Sequence, residues 1–257
     1  MRRVDLGTTL SVLLPLLALA CGGPTAPGGP PALVVVSGSG QAVTVGTPVP
    51  QPIVFQAQDQ NGAPLPAQFT FTLRSITCSS SNGTQCFAIA GDDQLVNPTL
   101  TTGPDGRATF AGWTLGTTIS QLKCLAAYRS TTQPTDGSDL GLTAICVVPL
   151  PGPPAKLTKP STDNQQAPAG STLTGMAVGV LDQYGNSLAC IPEGLISCGG
   201  GLEVQITFTP SAGGQVSQTQ VTTNHGGAAV DWTIASGANT LTIAVGGLSV
   251  TYSATGL

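Results

Sequence analysis

Leu241-Thr242-Ile243-Ala244-Val245-Gly246-Gly247-Leu248-Ser249-Val250-Thr251-Tyr252 decides the fold class. Apolar residues fall at every second position on both sides of a Gly-Gly pair. A period of two puts Leu241, Ile243 and Val245 on one face of a strand and Thr240, Thr242 and Ala244 on the other. A glycine pair between two such runs signals a tight β-hairpin, whose turn needs backbone angles that glycine adopts without steric cost. Val204, Ile206 and Phe208 keep the same alternation, as do Phe69, Phe71 and Leu73. Only 8% of the 257 residues are charged. The chain is rich in Thr, Val, Gly and Pro and lacks the Glu-, Lys- and Leu-rich runs that build helices. An all-β, exported protein follows. With a formal net charge of −4 and no basic patch, nucleic acid is excluded as a partner.

Outward from that hairpin, the chain repeats itself. Ala155 answers Ala32, Asp182-Gln183-Tyr184-Gly185 answers Asp59-Gln60-Asn61-Gly62, and Ile206-Thr207-Phe208-Thr209 answers Phe69-Thr70-Phe71-Thr72. Thr222-Thr223 with Gly226, Ala228 and Trp232 answers Thr101-Thr102 with Gly106, Ala108 and Trp113. A repeat of over 100 residues is domain-sized and too long for a solenoid unit. Two tandem domains are expected, at 32–148 and 155–257, joined by a Pro-rich linker, Pro149-Leu150-Pro151-Gly152-Pro153-Pro154. Such a proline run favours an extended, semi-stiff connection.

Strands are expected in the first module near 32–36, 53–58, 68–73, 87–90, 107–115, 121–127 and 141–147. In the second they are expected near 155–158, 173–181, 203–209, 216–221, 228–234, 240–245 and 248–254. About seven short strands per ~100 residues point to a two-sheet, immunoglobulin-like β-sandwich. Trp113 and Trp232 are read as core anchors. Ala228, Val230, Trp232 and Ile234 keep perfect alternation, whereas Trp113 and Leu115 fall one residue late after Ala108 and Phe110. A one-residue slip would turn Trp113 to the wrong face, so a β-bulge is expected at Ala111-Gly112.

The segments AGSTLTGMAVGVLDQYGN (169–186) and VTTNHGGAAVDW (221–232) resemble bacterial immunoglobulin-like domains of the Big-1 (invasin/intimin) type. VGTPVPQPIVFQAQDQNGAPLPAQFTFT (45–72) and TTGPDGRATFAGWTLG (101–116) are similar. The resemblance covers both modules. It rests on turn and strand residues, so it implies a scaffold and carries no chemistry. Members of that family commonly serve as stalks or adhesive modules of surface proteins.

The N-terminus reads as an address. Arg2 and Arg3 precede an apolar stretch, Leu6 to Ala20, too short to span a membrane comfortably. Ala18-Leu19-Ala20-Cys21 resembles a bacterial lipobox, which implies a lipoprotein signal peptide at 1–20 and a lipid on Cys21; the alternative is an ordinary cleaved signal. Residues 21–31 form a Gly/Pro tether. Gly22 stands where inner-membrane lipoproteins carry aspartate, which favours the outer membrane or cell surface. No apolar span follows the signal and no anchor motif precedes Leu257, so attachment is expected to rest on Cys21.

Removing Cys21 from the seven cysteines leaves an even number, which fits a disulfide framework in an exported chain. Each remaining pair brackets an insertion that the sister module lacks. Cys78–Cys86, Cys124–Cys146 and Cys190–Cys198 are therefore the expected bonds. A zinc site is disfavoured, because the spacings do not suit one and the single histidine, His225, is distant in sequence. No motif supports catalysis, and no cofactor or metal is expected. His225 reads as an exposed turn residue, Asp92-Asp93 as a solvated loop and Asp59 as a turn residue rather than a calcium ligand.

Two functions compete. One is a non-enzymatic envelope lipoprotein whose modules form a structural stalk or adhesion module. The other is a binding module for a surface protein or glycan, using the stapled loops; loops on a rigid sandwich commonly carry recognition. Tyr128, Asp136, Asp139, Tyr184 and Glu193 are the candidate contact residues.

Overall fold

The computed structural model describes residues 32–59, 61–65, 69–77, 89–90, 92–119, 122–128, 143–189, 192–193, 197–198, 201–211 and 213–257. The expected signal peptide and tether, with Cys21, lie outside them. So do Cys78, Cys86, Asp136, Asp139, Cys190 and the side chains of Glu193 and Cys198.

The first half contains β1 (Ala32–Ser37), β2 (Ala42–Thr44), β3 (Ile53–Gln58), β4 (Thr70–Thr77), β5 (Ile89–Ala90), β6 (Gln94–Leu95), β7 (Thr99–Thr101), β8 (Arg107–Phe110), β9 (Trp113–Thr114), β10 (Lys123–Tyr128) and β11 (Thr143–Leu150). The second contains β12 (Lys156–Thr158), β13 (Gln165–Ala167), β14 (Thr172–Leu181), β15 (Pro192–Glu193), β16 (Ser197–Cys198), β17 (Val204–Pro210), β18 (Gln215–Val216), β19 (Gln220–Thr223), β20 (Gly227–Thr233), β21 (Gly237–Val245) and β22 (Leu248–Gly256).

In the second half one sheet has the order β12-β14-β20-β18 and the other β13-β22-β21-β17-β19. Their apolar faces meet. Met176, Val178, Val180, Val230 and Trp232 come from the first sheet, and Ile206, Phe208, Leu241, Ile243 and Tyr252 from the second. Val245 faces Leu248 across the Gly246-Gly247 turn, the expected hairpin. In the first half the sheets are β1-β3-β8 and β2-β11-β10-β4-β5, with β7 on β4. Phe55, Phe71, Trp113, Leu125 and Val147 fill the space between them. Both halves are immunoglobulin-type sandwiches, and both tryptophans are core anchors with at most 2% of their surface exposed.

Sequence reasoning missed one device shared by the halves. After its first strand the chain crosses to the opposite sheet. There β2 pairs in parallel with β11, and β13 pairs in parallel with β22. Parallel pairing joins segments remote in sequence, so three-residue strands of this kind leave no local signal.

At Ala111-Gly112 the ladder is interrupted, and the extra residue there is matched by one on the facing strand. The β3–β8 ladder ends at Ile53 opposite Phe110, and Trp113 resumes against Leu95 of β6. On its other side, the Trp113 carbonyl accepts the Val49 amide at 2.8 Å. Pro50, Gln51 and Pro52 separate Ile53 from Val49, and Ala111 and Gly112 separate Phe110 from Trp113. In the second sandwich Thr174 and Gly175 separate Met176 from Leu173, while Asp231 alone separates Val230 from Trp232. Both strands of the first pair thus carry one residue more at the same level, and the slips compensate. A Cβ on Gly112 would stand 2.2 Å from the Val96 carbonyl oxygen, so the break requires glycine there. In the second sandwich β20 is unbroken, as its alternation implied, and the bulge lies on its partner β14, where the Asp231 carboxylate accepts the Gly175 amide at 3.0 Å.

Tyr128 corrects another expectation. It is not a loop residue but the last residue of β10, 4% exposed. Leu125 and Ala127 face the main core, whereas Cys124, Ala126 and Tyr128 face the other way and are equally buried, with Ile76 beside them. Both faces of β10 are therefore covered. The strand expected near 121–127 runs one residue further than the sequence reading placed it, to Tyr128. Cys124 and Cys146 stand opposite one another in the β10–β11 ladder and form a disulfide on this outer face.

Candidate functional site

The turn that closes β14 is where the two sandwiches meet. Asp182 is 1% exposed. Its Oδ1 accepts the backbone amides of Tyr184 and Asn186 at 2.9 and 2.8 Å, the local bonding expected of an aspartate that opens a turn. Its Oδ2 accepts the Asn186 Nδ2 group at 2.8 Å and, from the linker, the Gly152 amide at 3.0 Å. Burial alone would raise this carboxyl, but these four donors hold it below its ordinary value. Asn186 Nδ2 also donates to the Thr117 carbonyl of the first sandwich at 2.7 Å. The Tyr184 ring lies on Gly46, whose φ is 73° and where a Cβ would fall 2.3 Å from the phenolic oxygen. Nearby, β15 packs against β11.

The receiving surface is organised by a second polar cluster. Lys123 lies at an inward position of β10, with 6% of its side chain exposed, and pairs with Asp92 and, at 3.7 Å, with Asp93. Asp93 is wholly buried. Its carboxylate accepts Ser75 Oγ at 2.9 Å, Trp113 Nε1 at 3.1 Å and the Gly116 amide at 2.8 Å. Asp92 is 40% exposed and accepts the Thr117 amide at 2.8 Å. Burial pushes the Asp92 carboxyl up, but Lys123 and the Thr117 amide outweigh it, and the net shift is downward. The two aspartates are thus not a solvated loop: together they fix the 116–118 backbone that receives Asn186. A lysine in phase with Leu125 and Ala127 was the available signal, since a charge on the core side of a strand needs a buried counter-charge.

The candidate contact residues do not converge. Tyr184 is exposed but leans on the first sandwich. Glu193 belongs to the short β15–β16 ladder beside β11. Tyr128 is buried near the far end of the first sandwich, close to the undescribed 129–142 segment. His225 is exposed and its amide donates to Thr223 Oγ1 at 3.0 Å. Among the described residues, no group of three His, Cys, Asp or Glu side chains could hold a metal ion.

No protein family model matches the chain, and no curated protein matches it. Solved structures resemble it at low identity. Domains 4 and 5 of the S-layer protein SbsC share 15% identity over 89% of this chain and 98% of theirs, with a TM-score of 0.34. The Yersinia pseudotuberculosis adhesin InvE shares 20% over 88% of this chain and 58% of its own, with a TM-score of 0.30. The D0–D1 domains of intimin share 15% over 88% and 96%, with a TM-score of 0.26. The sandwich assignment rests on the strand pairing above.

Proposed function

We propose that the protein is a non-enzymatic, exported cell-envelope lipoprotein. It is held at the outer membrane or cell surface by a lipid on Cys21, and its two Big-1-like sandwiches act as a structural spacer or adhesion module. The observation that carries the spacer reading is the end-to-end contact in which Asn186 and Tyr184 of one sandwich grip Thr117 and Gly46 of the other. The anchor reading rests on Ala18-Leu19-Ala20-Cys21 and the tether that follows. Metabolic labelling with a radioactive fatty acid tests the anchor: the wild-type chain takes up label and fractionates with membranes, and Cys21→Ala does neither. Labelling that survives in Cys21→Ala refutes it. For the module, the mature chain purified in detergent is screened against envelope glycans and surface proteins. Binding that disappears when 129–139 is deleted replaces the spacer by the recognition reading, and silence across the screen retains the spacer.

A further inference from the structure

We propose that the two sandwiches move as one rigid body, and that the joint is made by the Asp182 turn rather than by the prolines of the linker. A chain of contacts runs without interruption from linker to core. The Gly152 amide, at the most flexible residue of the linker, is captured by Asp182. Asp182 holds Asn186 by its backbone and by its side chain. The remaining donor of the Asn186 amide group reaches the Thr117 carbonyl. Thr117 is held by Asp92, and its neighbour Gly116 by Asp93. Lys123 ties both carboxylates to β10 in the core of the first sandwich. The Asp182 end of this chain is buried, where hydrogen bonds to charged groups are strong and hold geometry, whereas the Asn186–Thr117 bond that crosses the joint lies at its exposed edge.

The first sandwich contains the control for this idea. Asp59 opens an identical turn: its Oδ1 accepts the amides of Asn61 and Ala63 at 2.8 and 2.9 Å. Yet Asn61 replaces Tyr184 and Ala63 replaces Asn186. The groups that grip a preceding sandwich are missing where the turn serves only itself. Tyr184 and Asn186 are therefore not demanded by the turn, and the contacts across the joint account for them. Prolines restrict φ and stiffen a chain locally, but a run that includes Gly152 retains a swivel. Capture of that glycine's amide removes it.

The inference deepens the spacer reading and can fail separately from it. A loose joint would overturn the inference and leave an anchored two-module protein. Binding through 129–139 would overturn the spacer and leave the joint.

Residual dipolar couplings on the mature full chain test it. In the wild type, couplings from both sandwiches fit a single alignment tensor. In Tyr184→Ala/Asn186→Ala they require two, while each sandwich still fits its own coordinates, which shows that neither has unfolded. In Pro153→Ala/Pro154→Ala the single tensor persists. Two tensors in the wild type overturn the proposal. So does a single tensor that survives the Tyr184/Asn186 variant or is lost in the proline variant.

Discussion

Asp59 and Asp182 occupy the same position of the same turn, half-buried in one sandwich and sealed in the other. The local bonding of the two carboxylates is nearly superimposable. What differs is their surroundings: Asp182 has a linker amide, an asparagine side chain and a second sandwich above it. The ends of the two cores make the same point in reverse, because different residues there meet one need. Asp93 accepts the Gly116 amide, three residues after Trp113. Asn239 accepts the Ala235 amide, three residues after Trp232, at 2.8 Å. One residue can carry two roles, and one role can be filled from two places in the sequence.

The largest expected effects concern the tryptophans. Trp113→Ala and Trp232→Ala should each destabilise the host sandwich by about 3–5 kcal/mol through lost burial and a cavity. Chemical denaturation, followed through the fluorescence of the remaining tryptophan and by circular dichroism, reads both sandwiches in each variant. Equal loss in both sandwiches from either change would mean that they unfold together, which sharpens the joint as a thermodynamic as well as a mechanical link.

Next in size is the staple. Cys124→Ser/Cys146→Ser should cost the first sandwich about 3 kcal/mol by relaxing the unfolded chain, with no effect on the second. A cost below about 1 kcal/mol would show that the covering on the outer face of β10 already holds the β10–β11 pair.

A subtler pair separates the cores by chemistry rather than size. Trp113 Nε1 donates to buried Asp93, whereas Trp232 Nε1 has no partner among the described residues. Both Trp→Phe variants lose ring area, but Trp113→Phe also removes a donor from a buried carboxylate and should cost about 1.5–3 kcal/mol more. Equal costs would break the contrast.

The smallest effect is one of acidity. Where the chain crosses between sheets, the second sandwich uses Asp163. The Lys159 ammonium and the Ser253 amide hold its carboxyl at about 2. A depressed pKa stabilises above the unfolded value and is lost as pH falls, here through the window from about 4 down to about 2. The first sandwich makes the same crossing with Gln41, whose amide donates to the Gly38 and Gln51 carbonyls at 2.8 and 2.9 Å. Asp163→Asn should weaken the second sandwich at neutral pH and flatten its response across that acid window. Gln41→Ala should weaken the first sandwich equally at both ends of the window. A slope unchanged by Asp163→Asn would overturn this account.

Much of the fold was legible because it is periodic. Alternation at Val204, Ile206 and Phe208 placed β17 to within a residue. The paired tryptophans and turn aspartates located both sandwiches. What failed was whatever depended on a second element. The slip at Ala111-Gly112 looked like a bulge because its compensation, at Pro50-Gln51-Pro52, lies on another strand. Tyr128 looked like a loop residue because local pattern fixes a strand's end only loosely and says nothing of what lies over it. Asp92-Asp93 looked solvated because its counter-charge, Lys123, is remote in sequence. Of the junction, Asp182 was visible as a turn residue and Tyr184 as an exposed ring. That they face Gly46 and Thr117 was not visible, since no local pattern encodes a contact between domains.

The amino-acid sequence by itself determined that the protein is all-β, that it is built twice, and which side of each strand faces a core. Those properties follow from backbone sterics and the period-two arrangement of apolar side chains, which act over a few residues. Only the tertiary structure decided which polar groups are buried, where the register is repaired and how the two copies are joined. Desolvation and hydrogen-bond satisfaction depend on everything within a few ångströms in space, and most of those neighbours lie far away along the chain.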